Sequence, residues 1–177
     1  MAKVSKISKP KDEFYQTPDY VTKTLLKHIT IPEDVMLWEP FCGKGAISRL
    51  LPEGRTLSTD LYDRGFGIGN ADFLKIDKNP FGDRKTWIIT NPPFSLADKS
   101  IRHAWDLGIE KVIFLMPFSY CAGVRRTDII ESGRLEKVLL FKDRFTMYPD
   151  YIKEEEKGGE STINFGWFIF GEKTDMQ

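Results

Sequence analysis

Thr86-Trp87-Ile88-Ile89-Thr90 is a short apolar run of strand type, and it stops abruptly at Asn91-Pro92-Pro93-Phe94. Two successive prolines fix their φ angles, lack N–H donors and push the residue before each out of the helical region, so neither a strand nor a helix continues through them. Ala97, Ile101, Ala104 and Trp105 follow at helical spacing, and Gly108 is placed to end that helix. The stretch therefore predicts a strand, a stiff turn and a helix, with the turn at the strand's carboxyl end, where open α/β sheets keep their chemistry. The turn offers bare carbonyls, Asn91 adds a side-chain carbonyl, and Phe94 adds a flat apolar face. An exocyclic amino group on a flipped, stacked base fits that cradle; a rigid loop capping a helix is the plainer reading of the same four residues.

Similar units recur along the chain. Thr17 can cap a helix that takes Pro18 in its first turn and continues through Val21, Leu25, Leu26 and Ile29. Residues 35–38 read as the first buried strand, and Glu39-Pro40-Phe41-Cys42-Gly43-Lys44-Gly45-Ala46 as a tight turn into a short helix over 47–51. Gly43 and Gly45 let a ligand approach the main chain, and the amino end of that helix favours an anionic group. Residues 55–59 form a second strand ending in Asp60, an acid placed to hold a ribose diol or, more plainly, to cap a turn. Beyond a loop carrying Gly65, Gly67 and Gly69, Asp72 can accept from an adenine amino group, with Phe73 packing beside it.

A further buried strand over 111–116 ends in a second loop on the same edge, Pro117-Phe118-Ser119-Tyr120, and Gly123-Val124-Arg125-Arg126 leads into a helix expected to reach about residue 132. Arg125 and Arg126 suit backbone phosphates, with salt bridges to Asp128 or Glu131 as the competing explanation. Lys99, Arg102 and His103 fall on the outer side of the preceding helix, as a solvated face or as phosphate contacts. Residues 135–141 and 162–170 are the final strands. Between them 142–161 includes a glutamate-rich run expected to be mobile and to repel polyanions.

At 177 residues, 41% apolar and 13% aromatic, the chain is expected to form one globular domain over 12–177 behind a flexible basic arm at 1–11, which carries four lysines and no apolar core. Lys and Arg equal Asp and Glu at 26 each, so a polyanion must be met by a local patch. Cys42 and Cys121 lie far apart without metal-ligand spacing, which points to free thiols in a reducing, cytoplasmic setting with no membrane span and no metal.

The order of these pieces resembles the S-adenosylmethionine-dependent amino-group DNA methyltransferases, specifically the adenine N6 group and its small phage-type members, over roughly residues 12–170. By that resemblance Tyr15, Gln16 and Thr17 belong to the early cofactor motif holding the methionine end. Glu39, Phe41, Gly43 and Gly45 are the glycine-loop motif, Asp60 the ribose-binding acid, Asp72 and Phe73 the adenine-binding pair, and Asn91-Pro92-Pro93-Phe94 the catalytic motif. Asn91 also borders the cofactor. The resemblance implies an α/β, Rossmann-like class I methyltransferase fold with a seven-stranded, mainly parallel sheet whose last strand is antiparallel. It also implies S-adenosyl-L-methionine as cofactor and DNA as partner, met by Arg125, Arg126, Lys99 and Tyr120. RNA stays open as partner, as do the monomeric and homodimeric states and, for a phage-encoded chain, the host cytoplasm.

One departure is that related enzymes carry a sizeable target-recognition region, for which 117–134 and 142–161 are the only candidates here. In mechanism, the Asn91 oxygen and the Pro92 carbonyl would each accept one N–H of the target amine, drawing the nitrogen towards tetrahedral geometry, while Phe94 stacks on the flipped base. Three rivals stand beside DNA adenine methylation. An RNA adenine enzyme keeps the same motif. A protein glutamine methyltransferase generally has Tyr at the position of Phe94 and an added recognition domain, and this sequence has neither. A catalytically inactive cofactor-binding or nucleic-acid-binding subunit is the third.

Overall fold

The computed structural model describes residues 13–149, 152 and 163–174, so the expected arm at 1–11 and the glutamate-rich run at 153–160 lie outside the described residues. One sheet holds β1 (Met36–Glu39), β2 (Thr56–Ser58), β3 (Thr86–Thr90), β4 (Lys111–Pro117), β5 (Leu135–Leu140) and β6 (Phe165–Phe170), in the order β2-β1-β3-β4-β6-β5. β2, β1, β3 and β4 run parallel, and β6 enters antiparallel between β4 and β5. β1 pairs with β2 on one side and β3 on the other, so the chain switches direction across the sheet there. The loops leaving β1 and β3 diverge, and a crevice opens between their carboxyl ends.

β1 and β3 are buried at every position and β4 at all but its two ends, because both faces are covered. Leu37, Trp87, Ile89, Ile113, Leu115 and Trp167 point to one core, and Trp38, Ile88, Val112, Phe114, Phe168 and Phe170 to the other, the alternation a pleated strand requires. α1 (Asp19–His28) places Val21 and Leu25 in the first core, and α2 (Ala97–Asp106) places Ala97, Ile101 and Ala104 in the second. The Trp167 indole N–H donates to the Val21 carbonyl at 3.1 Å, which ties α1 to the antiparallel strand.

Several local expectations are corrected. The described residues hold six strands where seven were expected: beyond β2 stands only a single parallel bridge, Thr59 with Ile68. Gly65 and Gly67 flank it at φ 76° and 67°, and left-handed backbone cannot extend a strand. The helix expected over 47–51 is a 3₁₀ turn, Ser48–Leu50, cut short by Pro52, whose ring keeps Leu51 extended at φ −86°, ψ 160°. Past the second loop the expected helix is a 3₁₀ turn, Val124–Arg126, followed by one turn of α-helix, α3 (Thr127–Ile130). Thr17 caps nothing; Pro18 occupies the cap position of α1 without a side-chain bond, and the Thr17 hydroxyl is engaged elsewhere. His103 does not face solvent, since its ring packs edge-on against the core ring of Phe73 at 5.1 Å. Arg102 pairs with Asp128 at 2.8 Å.

Candidate active site

Two acids stand at the ends of β1 and β2. Glu39 is 2% exposed and its Oε2 accepts from the Ser48 amide at 2.8 Å and from the Ser48 hydroxyl, which lies 2.6 Å from the Ser58 hydroxyl. Burial pushes the Glu39 carboxyl up to about 8, against the lowering pull of the Ser48 bonds and with a smaller push from the nearby Asp60 charge. Asp60 Oδ2 accepts from the Gly43 amide at 2.8 Å and Oδ1 from the Tyr62 amide at 2.9 Å, so this carboxylate pins the glycine turn to the end of β2. Oδ1 also pairs with Arg64 Nε at 3.9 Å, while Oδ2 keeps a second lone pair for a ligand hydroxyl.

The glycines differ from expectation. Gly43 and Gly45 have φ of 55° and 82°, but the groups that lie against them are the chain's own rings. A Cβ at Gly43 would run into Phe14, and one at Gly45 would sit 2.6 Å from Phe66. Arg64 lies 4.1 Å over the Phe14 ring and Arg49 4.4 Å over Phe66, so both rings are sandwiched between a guanidinium and the turn. The amide expected to greet an anion, that of Ser48, is spent on Glu39.

One cavity gathers Tyr15, Gln16, Thr17, Glu39, Phe41, Asp60, Asp72, Phe73 and Asn91, every expected cofactor residue except Gly43 and Gly45, together with Pro93 of the expected catalytic motif. Asp72 caps the 3₁₀ turn Phe73–Lys75 through the Leu74 amide at 3.2 Å. Phe73 is a core ring, held edge-on by Trp38 and Phe41 at 5.1 and 5.4 Å, and it forms the cavity floor with Phe41 half-exposed above it.

Asn91 closes the cavity at the end of β3. Its Nδ2 donates to the Thr17 hydroxyl at 3.1 Å and the Tyr15 carbonyl at 3.3 Å, with Met147 Sδ at 3.5 Å. A carbonyl can only accept, so these partners set which way the amide points. The Asn91 Oδ1 is then buried without a partner. The Pro93 carbonyl is taken by the Leu96 amide at 2.9 Å, and among the described residues no donor reaches the Pro92 carbonyl. Ser95 donates from its amide (3.1 Å) and hydroxyl (2.6 Å) to Glu13, so the segment 13–17 is laced onto the proline turn.

A second cavity begins where Tyr15 lines both, and includes Phe94, Pro117, Tyr120, Arg126, Met147 and Phe165. Arg126 does not pair with Asp128 or Glu131; its Nε donates to Asp98 at 3.1 Å, and its guanidinium lies 4.4 Å over Tyr120. Tyr120 is 4% exposed; burial first, then hydrogen bonding to Asp98 and the Asp98 charge, hold the phenol well above its usual range. Arg125 and Lys99 are exposed and line neither cavity. Sequence reasoning missed Glu13, Ser95, Asp98, Met147 and Phe165 as site residues. The only available signal was proximity to a motif, which Glu13 and Ser95 have and Met147 and Phe165 lack.

Cys42 and Cys121 are free thiols, and burial raises Cys42 to about 12. Among the described residues no cluster of His, Cys, Asp or Glu is placed to hold a metal, and no helix is long and apolar enough to cross a membrane.

No family model matches the sequence, and no curated protein is significantly similar to it. Solved structures do match. A proposed RNA methyltransferase from Pyrococcus horikoshii superposes with a TM-score of 0.66 at 17% identity, covering 97% of this chain and 94% of that one. The Encephalitozoon (E. cuniculi) Mtq2–Trm112 complex, which methylates the translation termination factor eRF1, gives 0.54 at 19% identity over 90% of this chain and 99% of that one. A dimethyladenosine transferase from Plasmodium falciparum gives 0.53 at 12% identity, over 89% of this chain and 62% of that one. With the strand order and the antiparallel β6, these likenesses show that the chain has the α/β, Rossmann-like class I methyltransferase fold.

Proposed function

We propose that this chain transfers the methyl group of S-adenosylmethionine to the exocyclic N6 amine of adenine in DNA. The observation that carries this reading is the buried, unpartnered Asn91 Oδ1, whose own amide nitrogen is held by Thr17 and Tyr15. Leaving such an acceptor unpaired costs about 1–3 kcal/mol, a cost that an incoming N–H relieves.

The first cavity suits the cofactor. Asp60 keeps a lone pair for a ribose hydroxyl, Asp72 and the half-exposed Phe41 ring offer an acceptor and a flat face for adenine, and segment 15–17 borders the end nearest Asn91. Bound there, S-adenosylmethionine supplies an electron-poor methyl on its sulfonium. The chain's work is to prepare the amine. Asn91 Oδ1 and the Pro92 carbonyl accept its two N–H bonds, which draws the nitrogen lone pair out of ring conjugation. Phe94 offers its face to the base in the second cavity.

RNA adenine is the second reading, favoured by the RNA and dimethyladenosine activities that two of the structural neighbours' descriptions carry. The test is incubation with labelled cofactor and, separately, duplex DNA, single-stranded DNA and RNA, followed by identification of the modified nucleoside. N6-methyldeoxyadenosine is the expected product; N6-methyladenosine from RNA alone would move the substrate, and no labelled adenine in any polymer would end the adenine reading.

A further inference from the structure

Two rings of the second cavity lie nearly parallel: Tyr15 and Phe94, with centroids 6.4 Å apart and planes 11° from one another. Aromatic pairs that attract directly have centroids about 4.5–7 Å apart, so this pair sits near the far end of that range. Measured centre to centre, this is an upper bound on the gap between the two faces and just short of the roughly 6.8 Å that a base stacked on both sides requires, so a base enters as the rings part slightly. Both rings are half-buried, and both are braced. Phe165 packs on Phe94 at 5.9 Å, tilted by 38°, while the Tyr15 backbone bridges to Pro149 and its carbonyl accepts from Asn91 Nδ2 at 3.3 Å.

We propose that Tyr15 is the second wall of an aromatic slot, with Phe94 the first, that takes the target base out of its strand. This deepens the methylation reading and rests on it for the identity of the base. A slot between parallel rings favours a planar heterocycle; a protein glutamine presents only its small planar amide, which covers far less of either wall. The same Asn91 side chain ties the wall to the acceptor, since Nδ2 holds the Tyr15 carbonyl while Oδ1 is buried without a partner. Tyr15 therefore serves both sides of the site, since it lines both cavities.

The probe is a single-stranded oligodeoxynucleotide with one 2-aminopurine among thymines, whose fluorescence falls when the base stacks. Wild type is expected to quench it, and Tyr15→Leu, which keeps apolar bulk without a ring, to bind about tenfold more weakly with the quench largely lost. Cofactor affinity, measured alongside, should fall less than base binding does, and Tyr15→Phe should restore most of the quench. Wild-type-like quenching and affinity in Tyr15→Leu would overturn the slot, as would a loss confined to cofactor binding. Quenching by wild type that transfers no methyl to adenine would instead overturn the methylation reading and leave the slot standing.

Discussion

Asn91 Nδ2 donates to the Thr17 hydroxyl across 3.1 Å, joining residues 74 positions apart. The bond does for the amide what a cap does for a helix, satisfying the donor so that the acceptor stays in one place. With the Tyr15 carbonyl as second partner, which can only accept, the amide cannot flip without stranding that carbonyl.

Asn91→Ala removes the acceptor and is expected to lower single-turnover methylation about a hundredfold or more, the scale seen when one preorganised polar group is lost, with cofactor affinity nearly intact. Thr17→Val keeps the shape but takes away one partner of Nδ2, and should cost about tenfold in rate, near 1.4 kcal/mol. Phe94→Ala should weaken nucleic-acid binding as well as rate. Full activity in Asn91→Ala would remove the acceptor from the mechanism.

Asp60 carries two duties, so its replacement should show two effects. Asp60→Ala leaves the Gly43 and Tyr62 amides unpaired, which predicts a stability loss of about 1–3 kcal/mol in denaturant titration, together with weaker cofactor binding by calorimetry. Loss of stability at unchanged cofactor affinity would reduce Asp60 to a turn anchor.

Glu39 predicts a pH dependence with a definite sign. Its folded value, about 8, lies above the 4.5 usual for an exposed carboxyl, so between those limits the unfolded chain releases a proton that the folded chain keeps. Stability should therefore fall as pH rises from about 4.5 to about 8 and level off above. Glu39→Gln, neutral at every pH, should flatten that slope in thermal unfolding measured across the range; an unchanged slope would assign the dependence to other groups.

Arg125 and Arg126 should separate. Arg125 is exposed, so Arg125→Ala is expected to lower the slope of log affinity against log salt by about 1. Arg126 is bound to Asp98 and covers Tyr120, so Arg126→Ala should also disturb the second cavity and weaken base binding. Anisotropy titrations at several salt concentrations check both, and identical slopes for wild type and the double variant would leave them as surface charges.

Local chemistry was enough for much of this molecule. Proline sterics and an unbroken apolar run located β3 and the turn at its carboxyl end, and period-3.6 burial located α2, because both depend on residues within a few positions of one another. The acids at the ends of β1 and β2 were readable for the same reason. Sheet order decided the rest. Only when β1 sits between β2 and β3 do Glu39, Asp60 and Asn91 border one cavity, and only the fold brings Phe14 onto Gly43, Glu13 to Ser95 across 82 positions, and Arg126 to Asp98 rather than to its neighbours in sequence. Side-chain periodicity says which face a residue takes but not what meets it there. The parallel rings of Tyr15 and Phe94 exist because long-range packing, whose partners no local pattern encodes, closes the amino-terminal segment over the end of the sheet.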